Sequence, residues 1–302
     1  MSTNEGYVYR DRVRAADAGA SVLDYHVARY RHSDAETWRR SIECGRVRVN
    51  GRSVSPAERL RSGDQLEFHR PPWSEPEAPL AFEVVFEDEQ VLVVAKPAGL
   101  QVLPAGPFLE RTLSSQVRAS DPGRATSAPV HRLGRGTSGL VLFGKTPLAR
   151  AFLSHQFRER TPRKTYLAIA AGCGLPGSCV ARHRIGRVPH GPLHIHCAKS
   201  DGKTSVTRLR VLARDRVAQR SLVAAQPITG RPDQIRIHLA ACGAPLAGDR
   251  LFGFGGVPVS DARPGDGGYL LHAASLRFEH PATRRRLKLR SLPAWLPGFR
   301  RA

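Results

Sequence analysis

Residues 134 to 139 read Gly-Arg-Gly-Thr-Ser-Gly and match the pattern G-x-G-x-x-G, with which many enzymes bind the pyrophosphate of a dinucleotide. That chemistry requires the glycines to open a helix, because the helix N-terminus faces the pyrophosphate. Here the glycines run instead into Leu140-Val141-Leu142-Phe143, an apolar and strand-like segment. The context argues against a nicotinamide or flavin enzyme.

Six cysteines and histidines between residues 173 and 197 raise the question of a zinc site. Zinc sites are built from close pairs such as C-x2-C or H-x3-H on tight turns. The sequence has no such pairs here, and His194-Ile195-His196 alternates polar and apolar residues as a strand does. We therefore predict no metal site. The six residues are Cys173, Cys179, His183, His194, His196 and Cys197.

The charge of the chain points to a polyanionic partner. Its 47 lysines and arginines outnumber 26 acidic residues and give a formal net charge of +21, spread along the whole sequence. Arginine dominates, and its planar fork donates two parallel hydrogen bonds to a phosphate. A genome rich in G and C would also raise the arginine content, so charge alone leaves nucleic-acid binding as one of two interpretations.

Other bulk properties bound the protein class. A chain of 302 residues is long for one core, so we expect a small domain and a larger one. The N-terminal sequence MSTNEGYVYRDR has no apolar stretch behind it, and no window approaches the 18 apolar residues of a membrane span. Five cysteines, an odd count, argue for a reducing compartment. We expect a cytoplasmic protein without a membrane segment.

The first 70 residues predict a small α/β domain. Ser33 and Glu36 form a capping box at the start of a helix, and Gly45 ends it. Asn50-Gly51 then predicts a tight hairpin, and residues 65–68 alternate as a second strand. Residues 71–80 contain four prolines and are predicted to be a linker.

From residue 81 to 302, short β patterns alternate with one clear helix near residues 147–159. This mixture predicts an α+β domain with a mixed, largely antiparallel sheet.

The segment CGRVRVNGRSVSPAERLRSGDQLEF resembles the S4 domain, an RNA-binding module, over roughly residues 21 to 69. The resemblance implies that the arginines of this segment bind RNA. The alternative interpretation is a generic helix and hairpin whose arginines form a solvated face. The candidate RNA-binding residues of this domain are Arg39, Arg40, Arg46 and Arg48.

The remainder of the chain resembles the RluA-like pseudouridine synthases. VHRLGRGTSGLVLFGKT is similar to their signature loop, whose usual form is HRLD, two variable residues and TSG. Four further motifs follow in the order of the family. They are residues 96–99 (KPAG), 163–168 (RKTYLA), 230–239 (GR and QIRIHL) with 248–253, and 271–273 with 280–281.

The resemblance implies an isomerase that converts uridine to pseudouridine in structured RNA, rRNA or tRNA, without a cofactor. It assigns Tyr166 to stacking on the uracil and Arg236 to pairing with the catalytic carboxylate. A uridine must leave the stack to be reached, so phosphate-binding groups should surround the pocket. The residues that the motifs assign to RNA binding are Arg132, Arg135, Thr137, Ser138, Lys96, Gln234 and His238.

One departure stands at the centre of the signature loop, because Gly134 occupies the position of the family's catalytic aspartate. Glycine offers no nucleophile or base, and its presence would leave Arg236 without its expected counter-ion. Asp233 is a candidate substitute. If residues 233–238 form a strand, Asp233 points away from Arg236, unless Pro232 places it in a turn. Asp249 belongs to the ordinary family pattern and is therefore no sign of compensation.

Two functional hypotheses follow. The first is an active RNA pseudouridine synthase with an altered site, and the second is an RNA-binding protein that has kept the fold and lost the reaction. Both predict RNA as the partner, and we expect a monomer.

Overall fold

A computed structural model describes residues 3–30, 33–191, 193–262, 265 and 267–298. The chain divides into two compact units, Met1–Pro76 and Glu77–Ala302. The division falls inside the predicted proline-rich linker. The elements of the first unit are β1 (Tyr7–Arg12), a 3-10 turn (Ala15–Asp17), α1 (Val22–Arg29), α2 (Ala35–Glu43), β2 (Val47–Val49), β3 (Arg52–Ser53) and β4 (Gln65–Arg70).

The first unit packs two helices on one face of an antiparallel sheet with strand order β1-β4-β2-β3. Its core contains Trp38 and Ile42 from α2, and Val47 and Val49 from β2, all at most 2% exposed. Asn50 and Gly51 have φ values of 50° and 80°, as the predicted tight hairpin requires. The helix, the hairpin and the second strand are confirmed.

The predicted start of α2 is wrong by one residue. Asp34, not Ser33, is the N-cap, and its carboxylate accepts a hydrogen bond from the Thr37 backbone N–H at 2.9 Å. Either residue type can cap a helix. The carboxylate at Asp34 also interacts favourably with the positive end of the helix dipole.

The proline-rich segment is tied down on both sides of Pro76. On the first side, the buried Glu75 carboxylate accepts a hydrogen bond from Asn4 Nδ2 at 2.9 Å. On the second side, Ala78 and Leu80 pack against an apolar cluster of the second unit. Residues 71–80 are therefore irregular, as predicted, but each part packs against the unit to which it belongs.

The second unit carries one large sheet. Its elements are β5 (Glu83–Glu87), β6 (Val91–Lys96), α3 (Leu113–Ser120), a 3-10 turn (Pro122–Arg124), β7 (Ala128–Pro129), β8 (Ser138–Gly144), α4 (Pro147–Glu159), β9 (Arg163–Ala171), β10 (Ser178–Ala181), β11 (Ile185–His190), β12 (Leu193–Ala198), β13 (Thr207–Asp215), β14 (Arg220–Pro227), α5 (Gln234–Ala241), a 3-10 turn (Phe254–Gly256), β15 (Leu271–Glu279), β16 (Arg286–Arg290) and a 3-10 turn (Leu296–Gly298).

Strand order in this sheet is β10-β13-β14-β9-β15-β8-β6-β5, with β16 paired to β15 and β7 paired to β8. β8 and β15 run parallel, whereas the other paired strands in the part of the chain that the structure describes are antiparallel. β11 and β12 form a separate hairpin. The predicted α+β class, with a mixed and largely antiparallel sheet, is confirmed.

The centre of the sheet is covered on both faces. Val141 and Phe143 of β8 join one apolar cluster with α3, while Leu140 and Leu142 join another with Leu153 of α4. A strand that is buried on both faces reads as a continuous apolar run. This explains the unbroken Leu-Val-Leu-Phe that follows the glycine loop.

Residues 234–241 form a helix, so the expectation of a strand over 233–238 is wrong. The alternation of Ile235, Ile237 and Leu239 favoured a strand. However, α5 is buried on all sides, with seven of its eight residues inaccessible. A helix surrounded by protein does not confine its apolar residues to one stripe, so the 3.6-residue period is lost.

Candidate active site

The loop between β7 and β8 is held by hydrogen bonds from its motif residues. His131 Nε2 accepts the Leu142 backbone N–H at 3.0 Å, and Ser138 Oγ lies 2.8 Å from His272 Nδ1. Thr137 Oγ1 lies 3.2 Å from the Tyr269 hydroxyl. These residues therefore build the loop and fix it to β8 and to the strand β15 region.

Two glycines of this loop are required by close packing. Gly139 has a φ of 106°, and a Cβ atom there would lie 2.4 Å from the Ala273 carbonyl oxygen, across the parallel β8–β15 pair. A Cβ atom on Gly136 would lie 2.9 Å from the Tyr269 ring. The motif glycines thus allow the loop to approach β15 and the Tyr269 side chain.

Gly134 lies at the exposed turn of the loop, where its carbonyl accepts the Thr137 N–H at 3.0 Å. A Cβ atom on Gly134 would lie 3.2 Å from the Tyr269 hydroxyl and 3.5 Å from Thr137 Oγ1. The space beside the family's aspartate position therefore contains a tyrosine hydroxyl. The sequence gave no signal for Tyr269 as a neighbour, because 135 residues separate it from Gly134.

Arg236, at the start of α5, has two carboxylate partners. Its Nε and Nη2 donate to the two oxygens of Asp249, each at 2.8 Å. Its Nη1 donates to Asp233 Oδ1 at 2.7 Å. Burial disfavours the charged guanidinium, but the hydrogen bonds and charges of these carboxylates raise the pKa of Arg236 above its usual value. The expectation that Arg236 lacks a counter-ion is wrong.

The two carboxylates differ in access to solvent. The Asp249 side chain is fully buried, and its Oδ1 also accepts the Leu251 and Phe252 backbone N–H groups. The Asp233 side chain is 32% exposed. Asp233 has the left-handed φ of 52° at the N-cap position of α5, and its carboxylate reaches Arg236 one turn further along. Asp233 is therefore the solvent-accessible carboxylate beside Arg236.

Aromatic rings enclose the Arg236 guanidinium. Its central carbon lies 4.3 Å from the centre of the Tyr269 ring and 4.8 Å from that of Phe252. Such cation–π contacts strengthen when water is excluded. Tyr269 thus contacts Arg236 through its ring and approaches the Gly134 turn through its hydroxyl, which links the signature loop to α5.

Tyr166 lies on β9, as predicted, between Ala225 of β14 and Ala273 of β15. It packs against both apolar clusters on this face, one of which contains Leu133 and the other Tyr269. Burial raises the pKa of Tyr166 to about 12, and its hydroxyl has no hydrogen bond to any residue within the described ranges. Its ring therefore borders the region between the signature loop and α5.

Three residues that the motifs assigned to RNA binding have buried side chains whose polar atoms are already used. Lys96 Nζ donates to the carbonyls of Pro97, Leu100 and Arg135. Gln234 bonds Thr207 and Thr229, among others.

His238 completes the group, because its two ring nitrogens bond Thr207 Oγ1 and Ser205 Oγ at 2.9 Å. The side chains of Lys96, Gln234 and His238 are at most 4% exposed. Direct contact of these three with RNA is therefore corrected to a structural role, because burial separates them from a phosphate.

The arginines of the loop remain accessible. Arg132 is exposed, and Arg135 is half-buried, with its Nε donating to the Gly265 carbonyl at 3.0 Å. Arg135 also lines an open cleft of about 460 Å³ together with Arg250, Gly248, Gly267 and Gly268. This cleft lies at residues that directly flank Asp249 and Tyr269 in the chain, so cations line the approach to the site.

The predicted RNA-binding arginines of the first unit are exposed. Arg39 and Arg40 lie on α2, at 3.9 Å and 3.8 Å from Glu36, and Arg46 and Arg48 lie in and beside β2. Ion pairs of this length between exposed side chains are weak. The four guanidinium groups are therefore accessible to a polyanion.

No group of three or more His, Cys, Asp and Glu side chains within the described ranges is arranged to hold a metal ion. His194 and His196 lie on β12, as the alternation predicted, and all five cysteines are free. Within the same ranges, no helix is both long and apolar enough to cross a membrane.

Comparison with known proteins assigns the family. A family model described as RNA pseudouridylate synthase matches residues 90–241, about half of the chain. An uncharacterised RNA pseudouridine synthase of Synechocystis is 43% identical over 89% of this chain and 92% of its own length. The ribosomal large subunit pseudouridine synthase D of Neisseria meningitidis serogroup A is 35% identical over 86% of this chain and 71% of its own.

Among solved structures, the human RNA pseudouridylate synthase domain containing 1 is 28% identical, with a TM-score of 0.61, over 74% of this chain and 89% of that chain. The chain belongs to the RNA pseudouridylate synthase family. The expected resemblance to RluA-like enzymes is confirmed.

Proposed function

We propose that this protein isomerises uridine to pseudouridine in RNA, with Asp233 as the reactive carboxylate. In this reaction the bond between ribose C1′ and uracil N1 breaks, a bond between C1′ and C5 forms, and the proton on C5 passes to N1. Reactants and products have the same composition, so the reaction needs no co-substrate.

The observation that carries the proposal is the pairing of Asp233 with Arg236 at 2.7 Å, in which Asp233 keeps 32% of its side chain exposed. By resemblance, the family's arginine pairs with the catalytic carboxylate. Here the carboxylate comes from the residue before α5 instead of the signature loop. Arg236 keeps the carboxylate ionised and oriented, which is what assistance at C1′ demands.

The surroundings of Asp233 support this role. Asp249 binds two edges of the Arg236 guanidinium and fixes its plane, so Nη1 is left for Asp233. Tyr166 supplies a ring with an unbonded hydroxyl for stacking on the uracil. The exposed Arg132 and the cleft residues Arg135 and Arg250 supply cations for the RNA backbone.

The substrate class is also part of the proposal. A relative named for the large ribosomal subunit supports ribosomal RNA, with transfer RNA as the second candidate. We propose that the first unit contributes affinity through Arg39, Arg40, Arg46 and Arg48, as its resemblance to S4 domains implies. A cytoplasmic location agrees with an RNA substrate and with five free cysteines.

The test is to incubate the purified full chain with unmodified ribosomal and transfer RNA, and to map pseudouridine in each fraction. The unaltered protein should modify a defined uridine, and Asp233→Asn should lower the rate at least 100-fold, because the amide cannot act as a base or nucleophile. Asp201→Asn is the matched control, since Asp201 is an exposed acid paired with Lys199.

Two results would contradict the proposal. Full activity in Asp233→Asn would remove Asp233 from the reaction. RNA binding without any pseudouridine in either RNA fraction would favour the second hypothesis, a protein that binds RNA on a synthase scaffold.

A further inference from the structure

Two exposed tyrosines on the edge strand β1 stand out in the first unit. Tyr7 is 48% exposed and Tyr9 is 43% exposed. They are two residues apart on a strand, so their side chains lie on the same face of the sheet. Their ring centres are 4.8 Å apart, with an angle of 71° between the planes.

These rings continue a row of aromatic side chains that begins in the core. Trp38, which is 2% exposed, packs edge to face with Phe68 at 5.0 Å. Phe68 in turn lies 6.2 Å from Tyr9 and within 19° of parallel to it. The buried end of the row supports the exposed end, so Tyr7 and Tyr9 are held in place and lose little entropy when a ligand binds.

A cation accompanies the exposed end of the row. Arg70 lies opposite Tyr7 in the β1–β4 register, and its Nη1 is 3.5 Å from the Tyr9 hydroxyl. The Arg70 guanidinium also stacks over the Trp73 ring at 3.4 Å. Planar guanidinium groups and aromatic rings placed side by side suit a ligand that has both π faces and phosphates.

The charge of the first unit distinguishes between kinds of nucleic-acid contact. Residues 1–76 contain 13 arginines and no lysine, but they also contain 11 acidic residues. Electrostatic attraction to a phosphate backbone is therefore small for this unit as a whole. Stacking on exposed rings supplies affinity that does not depend on net charge.

We propose that Tyr7, Tyr9 and Arg70 form a stacking site for unpaired bases of the RNA. The two ring planes are steeply inclined to each other, which suits splayed bases and excludes a continuous duplex, whose bases are covered. Arg70 contacts the adjoining phosphate or stacks beside the second base. The choice of RNA as ligand rests on the proposed function, whereas the site itself rests on the geometry of the first unit.

The test uses the full chain and fluorescence anisotropy at one fixed salt concentration. The probes are a labelled single-stranded oligouridylate of 12 nucleotides and a labelled RNA duplex of 12 base pairs. Tyr7→Leu with Tyr9→Leu removes the π faces and keeps apolar bulk, whereas Tyr7→Phe with Tyr9→Phe keeps the rings. The leucine variant should bind the single strand at least tenfold more weakly, and the phenylalanine variant should bind it within about twofold of the unaltered protein.

Duplex binding should be unchanged in the leucine variant. An unchanged single-strand affinity in that variant would overturn the proposal, and so would an equal loss for single strand and duplex. A lower unfolding midpoint with unchanged affinity would also overturn it, because the rings would then serve an intramolecular contact. Irradiation of RNA containing 4-thiouridine should additionally cross-link to the peptide that contains Tyr7 and Tyr9.

These readouts are separate from the test of catalysis. Loss of single-strand affinity in the leucine variant supports the stacking site even where the unaltered protein forms no pseudouridine. Pseudouridine formation with unchanged affinity in the leucine variant supports the proposed function alone.

Discussion

The guanidinium of Arg236 and the carboxylate of Asp249 are joined by two hydrogen bonds of 2.8 Å, with side chains that are 5% and 0% exposed. A third bond from the same guanidinium reaches the more exposed Asp233 at 2.7 Å. The arginine therefore divides its donors between a carboxylate that anchors it and a carboxylate that faces solvent. This division separates the structural from the reactive role in a site whose loop position 134 has no side chain.

Asparagine substitutions at the two carboxylates should differ in stability. Asp249→Asn leaves a buried guanidinium without its bidentate partner, which should cost about 3–5 kcal/mol of unfolding free energy. Asp233→Asn removes a partly exposed partner and should cost less than about 1 kcal/mol. Urea denaturation of both variants measures the difference. Equal losses would show that the two carboxylates share the anchoring of Arg236.

An aspartate introduced at Gly134 should bring no gain of activity, because Asp233 already supplies the carboxylate. The new Cβ would lie 3.2 Å from the Tyr269 hydroxyl, so that side chain must move by a few tenths of an ångström. Gly134→Ala is the control for this steric effect. Pseudouridine formation by Gly134→Asp from an inactive parent would identify the parent as an RNA-binding scaffold.

Gly136→Ala should destabilise the signature loop. Its Cβ would lie 2.9 Å from the Tyr269 ring, and overpacking of this kind costs about 1–3 kcal/mol. Gly177→Ala is the matched control, because no atom lies within 4 Å of its Cβ position, and it should change stability by less than about 0.5 kcal/mol. Thermal unfolding of the two variants provides the measurement. Similar midpoints would mean that Tyr269 adapts without cost.

His131 should make the stability depend on pH below neutrality. Burial, and then the charge of Lys164, lower its pKa from 6.5 to about 3. The unfolded state therefore takes up a proton at pH 5 that the folded state refuses, so stability falls as the pH falls from 6.5 towards 3.

Replacement of His131 by glutamine tests this dependence, because glutamine can still accept the Leu142 N–H and does not titrate. Between pH 7 and pH 5, the unaltered protein should lose up to about 2 kcal/mol more than His131→Gln, at about 1.4 kcal/mol for each unit of pKa shift. Urea denaturation at both pH values measures the two losses, and parallel losses would argue against a neutral His131.

Arg132 should contact an RNA phosphate. Arg132→Gln should weaken binding similarly across RNA sequences and reduce the slope of log K against log salt by about 1. Arg216→Gln, an exposed arginine between β13 and β14, serves as the control. An unchanged slope for Arg132→Gln would place that side chain outside the RNA contact.

The sequence by itself determined the family, the class of fold and the elements of strong local signal. The capping pattern predicted α2, Asn50-Gly51 predicted its hairpin, and residues 147–159 form the predicted helix α4. It also placed Tyr166 on a strand and identified Arg236 and Asp233 as candidates. These features follow from local propensity and motif order, which neighbouring residues are sufficient to specify.

The tertiary structure decided which groups surround the reactive position. The helix α5 was hidden from pattern analysis, because protein covers it on all sides and removes the polar stripe by which a surface helix is recognised. Burial converted Lys96, Gln234 and His238 from expected RNA contacts into internal hydrogen-bonding groups. Asp249, Phe252 and Tyr269 reached Arg236 only through packing of distant segments. Contacts of this kind depend on the close approach of elements far apart in the chain, which no local pattern encodes.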